Sequence, residues 1–232
     1  MLKCLHLSDI HGFHDQINVK GYYDCIFITG DVTNSNDTKI NKEELDNFLA
    51  WIYNYRQHAK YIIMIPGNHD VSIPRLGLKD YVESFGIKCL INEEFVIELP
   101  HKKFKVFGSP FTPTYGNNWA YNLDRNKLSK VWELIPLDTD ILLTHGPPKG
   151  ILDLSYDKNN NLEMCGDKSL LNKIETLKPY FVNLFGHIHD CKDIQNYGML
   201  QKGHRRFFNS AMVKDGRYDL GLIHEGQSFY VI

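Results

Sequence analysis

Short apolar runs that stop abruptly at polar or glycine-containing turns recur along the chain: Leu2 to Leu7, Cys25 to Thr29, Tyr61 to Ile65, Lys105 to Phe107, Ile141 to Thr144 and Phe181 to Phe185. These short, mainly apolar runs read as strands covered on both faces. Between the second and third run, Asn41 to Gln57 carries Leu45, Phe48, Leu49, Ile52 and Tyr55 at helical spacing, with Asn41 as the expected N-cap. A second helix is expected over Ser169 to Leu177, where Leu170, Leu171, Ile174 and Leu177 share a face and Pro179 marks the end. A third covers Arg125 to Trp132. The tail, Arg206 to Ser210 and Gly221 to Ile232, reads as strand-rich with turns at Gly203, Gly216 and Gly226. The class is therefore α/β with a substantial antiparallel part.

No Ser/Gly/Pro-rich linker divides the 232 residues, so a single domain over 1–232 is expected. The formal net charge of −2, with histidines neutral, gives no reason to expect duplex nucleic acid as a partner. A small phosphorylated substrate suits that balance better. No apolar run approaches the ~18 residues of a membrane span, and the N-terminus passes straight into a strand, so neither membrane nor export is expected. Cys4, Cys25, Cys89, Cys165 and Cys191 form neither an even set nor a Cys-x-x-Cys pair. That favours a reducing compartment, the cytoplasm.

The chemistry sits where the apolar runs end. Ser8-Asp9-Ile10-His11, Gly30-Asp31, Gly67-Asn68-His69-Asp70, His145 and Gly186-His187-Ile188-His189 each follow a strand candidate. The carboxyl ends of strands in an open α/β sheet share one edge, where ligands bind, so these side chains converge. In an extended stretch residues i and i+2 project to the same side, which lets Asp9 with His11, and His187 with His189, aim at one point. A mixture of imidazole, carboxylate and amide donors suits Mn, Fe, Zn, Co or Ni, and the oxygen share keeps Mn in the set. The absence of thiolates argues against a structural zinc cluster. Glycine before Asp31, Asn68 and His187 allows backbone conformations that would strain other residues. A lone Asp-x-His or His-x-His is usually a surface pair. The whole ordered series is not.

That series resembles the calcineurin-like metallophosphoesterase superfamily. A narrower similarity, carried by Phe107-Gly108-Ser109-Pro110-Phe111-Thr112-Pro113, Asn118-Trp119-Ala120-Tyr121-Asn122, Leu142-Leu143-Thr144-His145-Gly146-Pro147-Pro148 and Ile151-Leu152-Asp153, is to its metallophosphoesterase-domain-containing branch of phosphodiesterases. The resemblance implies a four-layer α/β/β/α sandwich of two mixed sheets flanked by helices. It implies two divalent metal ions, Mn2+ foremost: one held by Asp9, His11, Asp31 and His189, the other by Asp31, Asn68, His145 and His187, with Asp31 bridging. Two cations ~3.5–4 Å apart lower the pKa of a shared water and stabilise in-line displacement, so hydroxide is the expected nucleophile. His69 is then the transition-state stabiliser or proton donor, and Asp70 the acceptor that fixes its tautomer. The branch usually reads Gly-Asn-His-Glu where this chain has Asp70.

The substrate determinants are softer. Trp119 on its Gly/Asn-rich segment suits stacking on a base, with Asn118 hydrogen-bonding it, and packing of the loop is the alternative. Asn209, with Ser210, is expected near the pocket, or as a turn cap. His204-Arg205-Arg206 reads as a solvated basic face. The resemblance implies a phosphodiesterase of small nucleotides, cyclic ones included. The alternatives are a phosphomonoesterase or protein phosphatase of the same superfamily, or a non-catalytic metal-binding scaffold. Protein phosphatases show Gly-Asp-x-x-Asp-Arg-Gly, whereas this chain has Gly30-Asp31-Val32-Thr33-Asn34-Ser35-Asn36.

Overall fold

A computed structural model of the chain describes residues 1–114, 119–215 and 218–232. The first part runs β1 (Leu2–Leu7), β2 (Tyr23–Ile28), α1 (Thr38–Asn54), β3 (Ala59–Met64), α2 (Ser72–Leu76), α3 (Lys79–Ser84), β4 (Lys88–Cys89), β5 (Glu93–Leu99) and β6 (Lys102–Ser109). It continues through β7 (Thr112–Pro113), β8 (Asn122–Leu123), α4 (Arg125–Glu133), β9 (Ile141–Thr144), β10 (Leu154–Tyr156), β11 (Leu162–Met164) and α5 (Lys168–Thr176). The last elements are β12 (Phe181–Phe185), β13 (Gly198–Lys202), β14 (Arg205–Asn209) and β15 (Gln227–Val231).

Two mixed sheets carry the architecture. The first has the order β15-β1-β2-β3-β4, parallel from β1 to β4, with β15 antiparallel along one edge. The second has the order β13-β14-β12-β9-β6-β5, parallel in its centre and antiparallel at both edges. Alternation along each strand sorts side chains into layers. In β1, Leu2 and Cys4 face the second sheet, where they meet Phe104, Val106, Ile141, Leu143 and Leu184. Leu5 and Leu7 face the other way, onto Leu45, Phe48, Leu49 and Ile52 of α1. The outer face of the second sheet, with Phe107, Leu142, Phe181 and Phe207, is covered by Leu128 and Trp132 of α4 and Leu170 and Ile174 of α5. The result is the expected four-layer α/β/β/α sandwich.

The helices begin where side-chain acceptors can close their first turns. Asp37 caps α1, accepting from the amides of Lys39 and Ile40, and Asp167 caps α5 through Leu170. The N-cap expected at Asn41 is thus corrected: α1 starts a turn earlier, and Asn41 lies inside it, fully buried. Nor is the basic run at 204–206 a freely solvated face. Arg205 donates to the carbonyls of Glu175 and Leu177 at the end of α5, and His204 stacks on Tyr180 at 4.4 Å.

Candidate metal centre

The parallel strands β1, β2, β3, β9 and β12 all deliver their following loops to one edge of the sandwich. Asp9 and His11 follow β1, Asp31 follows β2 and Asn68 to Asp70 follow β3, all from the first sheet. His145 follows β9, and His187 with His189 follow β12, from the second. Donor atoms of Asp9, His11 and His189 lie within 4.8 Å of one another, as do those of Asp31, His145 and His187, and those of His11, Asp31 and His69. Asn68 joins the second group, its Oδ1 2.9 Å from His145 Nε2.

The backbone is bent to achieve this. Asp9, His11, Asp31 and His187 all adopt left-handed conformations, with φ of 52°, 47°, 53° and 67°. Such conformations cost of order 1–3 kcal/mol each and persist where surrounding structure over-determines them. The glycines before the donors serve two different ends. Gly30 supplies a φ of +97°. Gly67 and Gly186 supply room instead: a Cβ on Gly67 would lie 2.2 Å from Asp31 Oδ1, and one on Gly186 only 1.9 Å from Asp9 Oδ2.

Each carboxylate is aimed by named donors. Ser8 Oγ and the His187 amide donate to Asp9 Oδ2 at 2.6 and 2.9 Å, while Asp9 Oδ1 faces His189 Nε2 at 2.9 Å. The His69 amide donates to Asp31 Oδ1 at 2.7 Å. Burial by itself would raise both carboxyls, but His189 beside Asp9, and His145 and His69 beside Asp31, hold them well below the usual carboxylate range. Burial pushes His11 and His187 down to about 3, which keeps them neutral and able to offer a lone pair.

His145 tests whether this set fits a cation. Its Nδ1 lies 2.7 Å from the Thr29 carbonyl, which can only accept, so the proton resides on Nδ1. Nε2 then turns toward two more oxygens, Asn68 Oδ1 at 2.9 Å and Asp31 Oδ2 at 3.3 Å. Three electron-rich atoms facing one another need a positive charge among them. A second proton is one answer: burial opposes it, yet Asp31 pulls His145 up to about 9. A divalent cation is the other, and nitrogen, carboxylate and amide donors are what a borderline ion takes. The ion pairs of Asp9 and Asp31 among the described residues are with histidines alone. The residues therefore fit metal.

Asp70 has a different place from the one expected. Its carboxylate accepts from the amides of Asp31, Val32, Thr33 and Gly67 and from Thr33 Oγ1, at 2.7–3.0 Å. It clamps the loop after β2 to the loop after β3. His69 Nδ1 instead lies 3.1 Å from the Asn34 carbonyl, so a backbone oxygen takes the tautomer-fixing position. Burial and the neighbouring Asp31 charge push Asp70 up to about 6 against those donors. Asn41 completes the clamp. The two hydrogens of its side-chain NH2 are shared among Thr33 Oγ1, Ser35 O and His69 O, and its Oδ1 accepts from the Ser72 amide.

Among the expected substrate contacts, Trp119 packs over His69 with ring centroids 3.9 Å apart, and the next amide, Ala120, donates to Asn68 O. Asn118 lies outside the described residues. Asn209 takes the turn-cap alternative: fully buried, it accepts from the Ala211 amide two residues on and donates to Leu152 O and Ile188 O, which leaves its side chain holding loops rather than facing a ligand. A cavity of about 670 Å³ opens beside His187 and His189, walled by Pro113, Thr114, Arg125, Tyr156 and Glu163. Pro113 ends one of the quoted motifs, but sequence reasoning had no signal for Tyr156 and Glu163, since the β10–β11 hairpin carries no motif.

Residues 2–191 match a family model described as calcineurin-like phosphoesterase. Human metallophosphoesterase domain-containing protein 1 is 28% identical over 228 residues, covering 89% of this chain and 64% of its own length. The chain thus spans less than two thirds of that relative. A UPF0046 protein of Caenorhabditis elegans is 27% identical over 230 residues, 93% of this chain and 71% of its own. Among solved structures, a putative 5'-nucleotidase from Staphylococcus aureus superposes with a TM-score of 0.52 over 99% of this chain and 54% of that one. At 10% identity that is a likeness of fold.

Proposed function

The chain belongs to the calcineurin-like phosphoesterase family, whose members are metal-dependent phosphoesterases with dinuclear centres, and on that premise we propose that it is a phosphodiesterase of small nucleotide diesters, cyclic ones included. The observation that carries the reading is the meeting, at one edge of the sandwich, of Asp9, His11 and His189 with Asp31, His145, His187 and Asn68. In this reading Asp9, His11, Asp31 and His189 hold one ion and Asp31, Asn68, His145 and His187 the other, with Asp31 shared. Manganese is the proposed metal, on the oxygen share of the donors. When bound, the pair supplies Lewis acidity and an activated water for in-line displacement at phosphorus.

The chain's own residues do the rest. His69, set by Asn34 O and covered by Trp119, is the group that hydrogen-bonds the phosphoryl oxygens or protonates the departing alcohol. Asp70 and Asn41 keep the two loops in register so that Asp31 and Asn68 meet. The cavity beside His187 lies within the size range of small-ligand sites and is offered to the alcohol portion of the diester. Preference for the diester rests on the likeness to the metallophosphoesterase-domain-containing proteins and on Asn34-Ser35-Asn36 standing where protein phosphatases carry Asp-Arg-Gly. Buried or half-buried free thiols support a reducing, cytoplasmic setting.

The test is Mn2+-dependent hydrolysis of bis(p-nitrophenyl) phosphate beside p-nitrophenyl phosphate, in wild type and Asp31→Asn. Faster diester cleavage that the substitution abolishes supports the proposal. Faster monoester cleavage would make the protein a phosphomonoesterase, and inactivity with every divalent metal would make it a scaffold.

A further inference from the structure

His6 is a buried imidazole with no part in the chemistry above. In register it pairs with Phe27 of β2 and Gln227 of β15, on the face of the first sheet that looks at the second. Leu2 and Cys4 on that face sit in the dry inter-sheet core. His6, one step nearer the metal edge, does not continue it. Its Nε2 lies 2.8 Å from Thr29 Oγ1, at the end of β2, and its Nδ1 lies 2.7 Å from Ser210 Oγ, at the end of β14. One ring therefore bridges the two sheets directly beneath the centre.

The hydrogen-bond directions form a consistent chain. Gln227 Nε2 donates to Ser210 Oγ at 2.9 Å and to Asn209 O at 2.6 Å, so the Ser210 hydroxyl proton is free to point at His6 Nδ1. His6 Nε2–H then donates to Thr29 Oγ1. Burial pushes His6 down to about 3, which leaves the neutral ring with the one donor and one acceptor that this chain needs. Thr29 is the residue whose carbonyl fixes His145 at 2.7 Å, and Ser8, neighbour of Asp9, also reaches that carbonyl at 3.3 Å. The tie thus ends on a backbone unit that touches His145 in one half of the centre and Ser8, the support of Asp9, in the other.

The consequence follows from where the donors originate. Asp9, His11, Asp31 and Asn68 come from the first sheet, and His145, His187 and His189 from the second. Two ions can be held only if the sheets stand at one spacing at this edge. We propose that His6 is a positioning residue that sets the separation of the two sheets beneath the metal centre, so that donors from one sheet meet donors from the other. The inference rests on the two-metal reading.

The experiment compares wild type, His6→Leu and the triple variant His6→Leu/Thr29→Val/Ser210→Ala. Thermal unfolding is measured without metal, and Mn2+ uptake is followed by calorimetry and by the spin-resonance signal of an exchange-coupled Mn pair. Replacing one partner orphans the others, whereas replacing His6, Thr29 and Ser210 together with apolar groups of similar shape can be nearly neutral for stability, since the part-buried Gln227 keeps its bond to Asn209 O. The triple variant is therefore expected to unfold near the wild-type temperature, yet to bind the second Mn2+ roughly tenfold or more weakly, the usual effect of losing an outer-shell support. Its coupled signal is expected to fall with it. Wild-type affinity for two ions and an intact coupled signal in the triple variant would overturn the proposal. Should that variant not fold, Thr29→Val, which keeps the carbonyl to His145, gives the same contrast: a weakened second ion supports the tie, an unchanged one overturns it. Fewer than two ions in the wild type would instead overturn the two-metal reading, and this inference with it.

Discussion

Asparagine at position 70 would remove one acceptor oxygen from a carboxylate that accepts from five donors. Asp70 Oδ2 receives the amides of Asp31 and Gly67 at 2.9 and 2.7 Å, and Oδ1 receives those of Val32 and Thr33 and the Thr33 hydroxyl. Whichever way the new side chain turns, its NH2 faces at least two backbone N–H groups that cannot accept. With Asp70 fully buried, no solvent relieves them. An unsatisfied buried donor costs ~1–3 kcal/mol, so two give a loss of roughly 2–6 kcal/mol, at constant side-chain volume. The loss falls on the loops that present Asp31 and Asn68. Asp70→Asn is therefore expected to lower the urea midpoint of the metal-free protein and to weaken Mn2+ binding in calorimetry, while far-ultraviolet dichroism stays that of a folded α/β chain. A destabilisation below ~1 kcal/mol with unchanged metal affinity would refute the clamp.

Other positions give independent checks. Gly186→Ala places a Cβ against Asp9 Oδ2 and Ser8 Oγ, and elemental analysis is expected to show less than the wild-type metal content, with diester hydrolysis down by at least ~100-fold if Asp9 holds metal. Asp37→Ala removes the α1 cap and is expected to cost about 1 kcal/mol in urea unfolding without touching metal content. Trp119→Ala, read by steady-state kinetics, is expected to lower kcat more than it raises KM, because the ring lies on His69; a change confined to KM would return Trp119 to substrate stacking.

The strands were legible because burial on both faces leaves short, mainly apolar runs. Leu2–Leu7, Ile141–Thr144 and Phe181–Phe185 match the sequence reading residue for residue. β5, Glu93–Leu99, escaped it: at the edge of its sheet, only Ile97 is fully buried, and a half-exposed strand leaves a weak pattern. The donors were legible as residue types after strand ends, because strand order is not needed to know that parallel strands share an edge. Their left-handed backbones were not, since nothing in Asp9 or His187 as a residue announces a positive φ. Long-range partners were equally hidden. Asn41 looked like a helix cap because it precedes Leu45 by a turn, whereas its real partners, His69 and Ser72, are loops away. Asn209 was placed near the pocket because it ends a strand there, yet the loops holding Leu152 and Ile188 close over it. Asp70 was paired with the wrong neighbour for the same reason: adjacency in sequence suggested His69, while the fold brought it the amides of 31–33.

The central claim is that Asp9, His11, His189, Asp31, His145, His187 and Asn68 form one centre for a pair of divalent ions. The direct measurement is the number of Mn2+ ions bound per chain after loading and exhaustive removal of free metal, read by elemental analysis in wild type, Asp31→Asn and His189→Ala. The account predicts two in the wild type, one in His189→Ala, where only the site with Asp9 and His11 is damaged, and fewer than two in Asp31→Asn. A single ion in the wild type, or two ions retained after both substitutions, would contradict it.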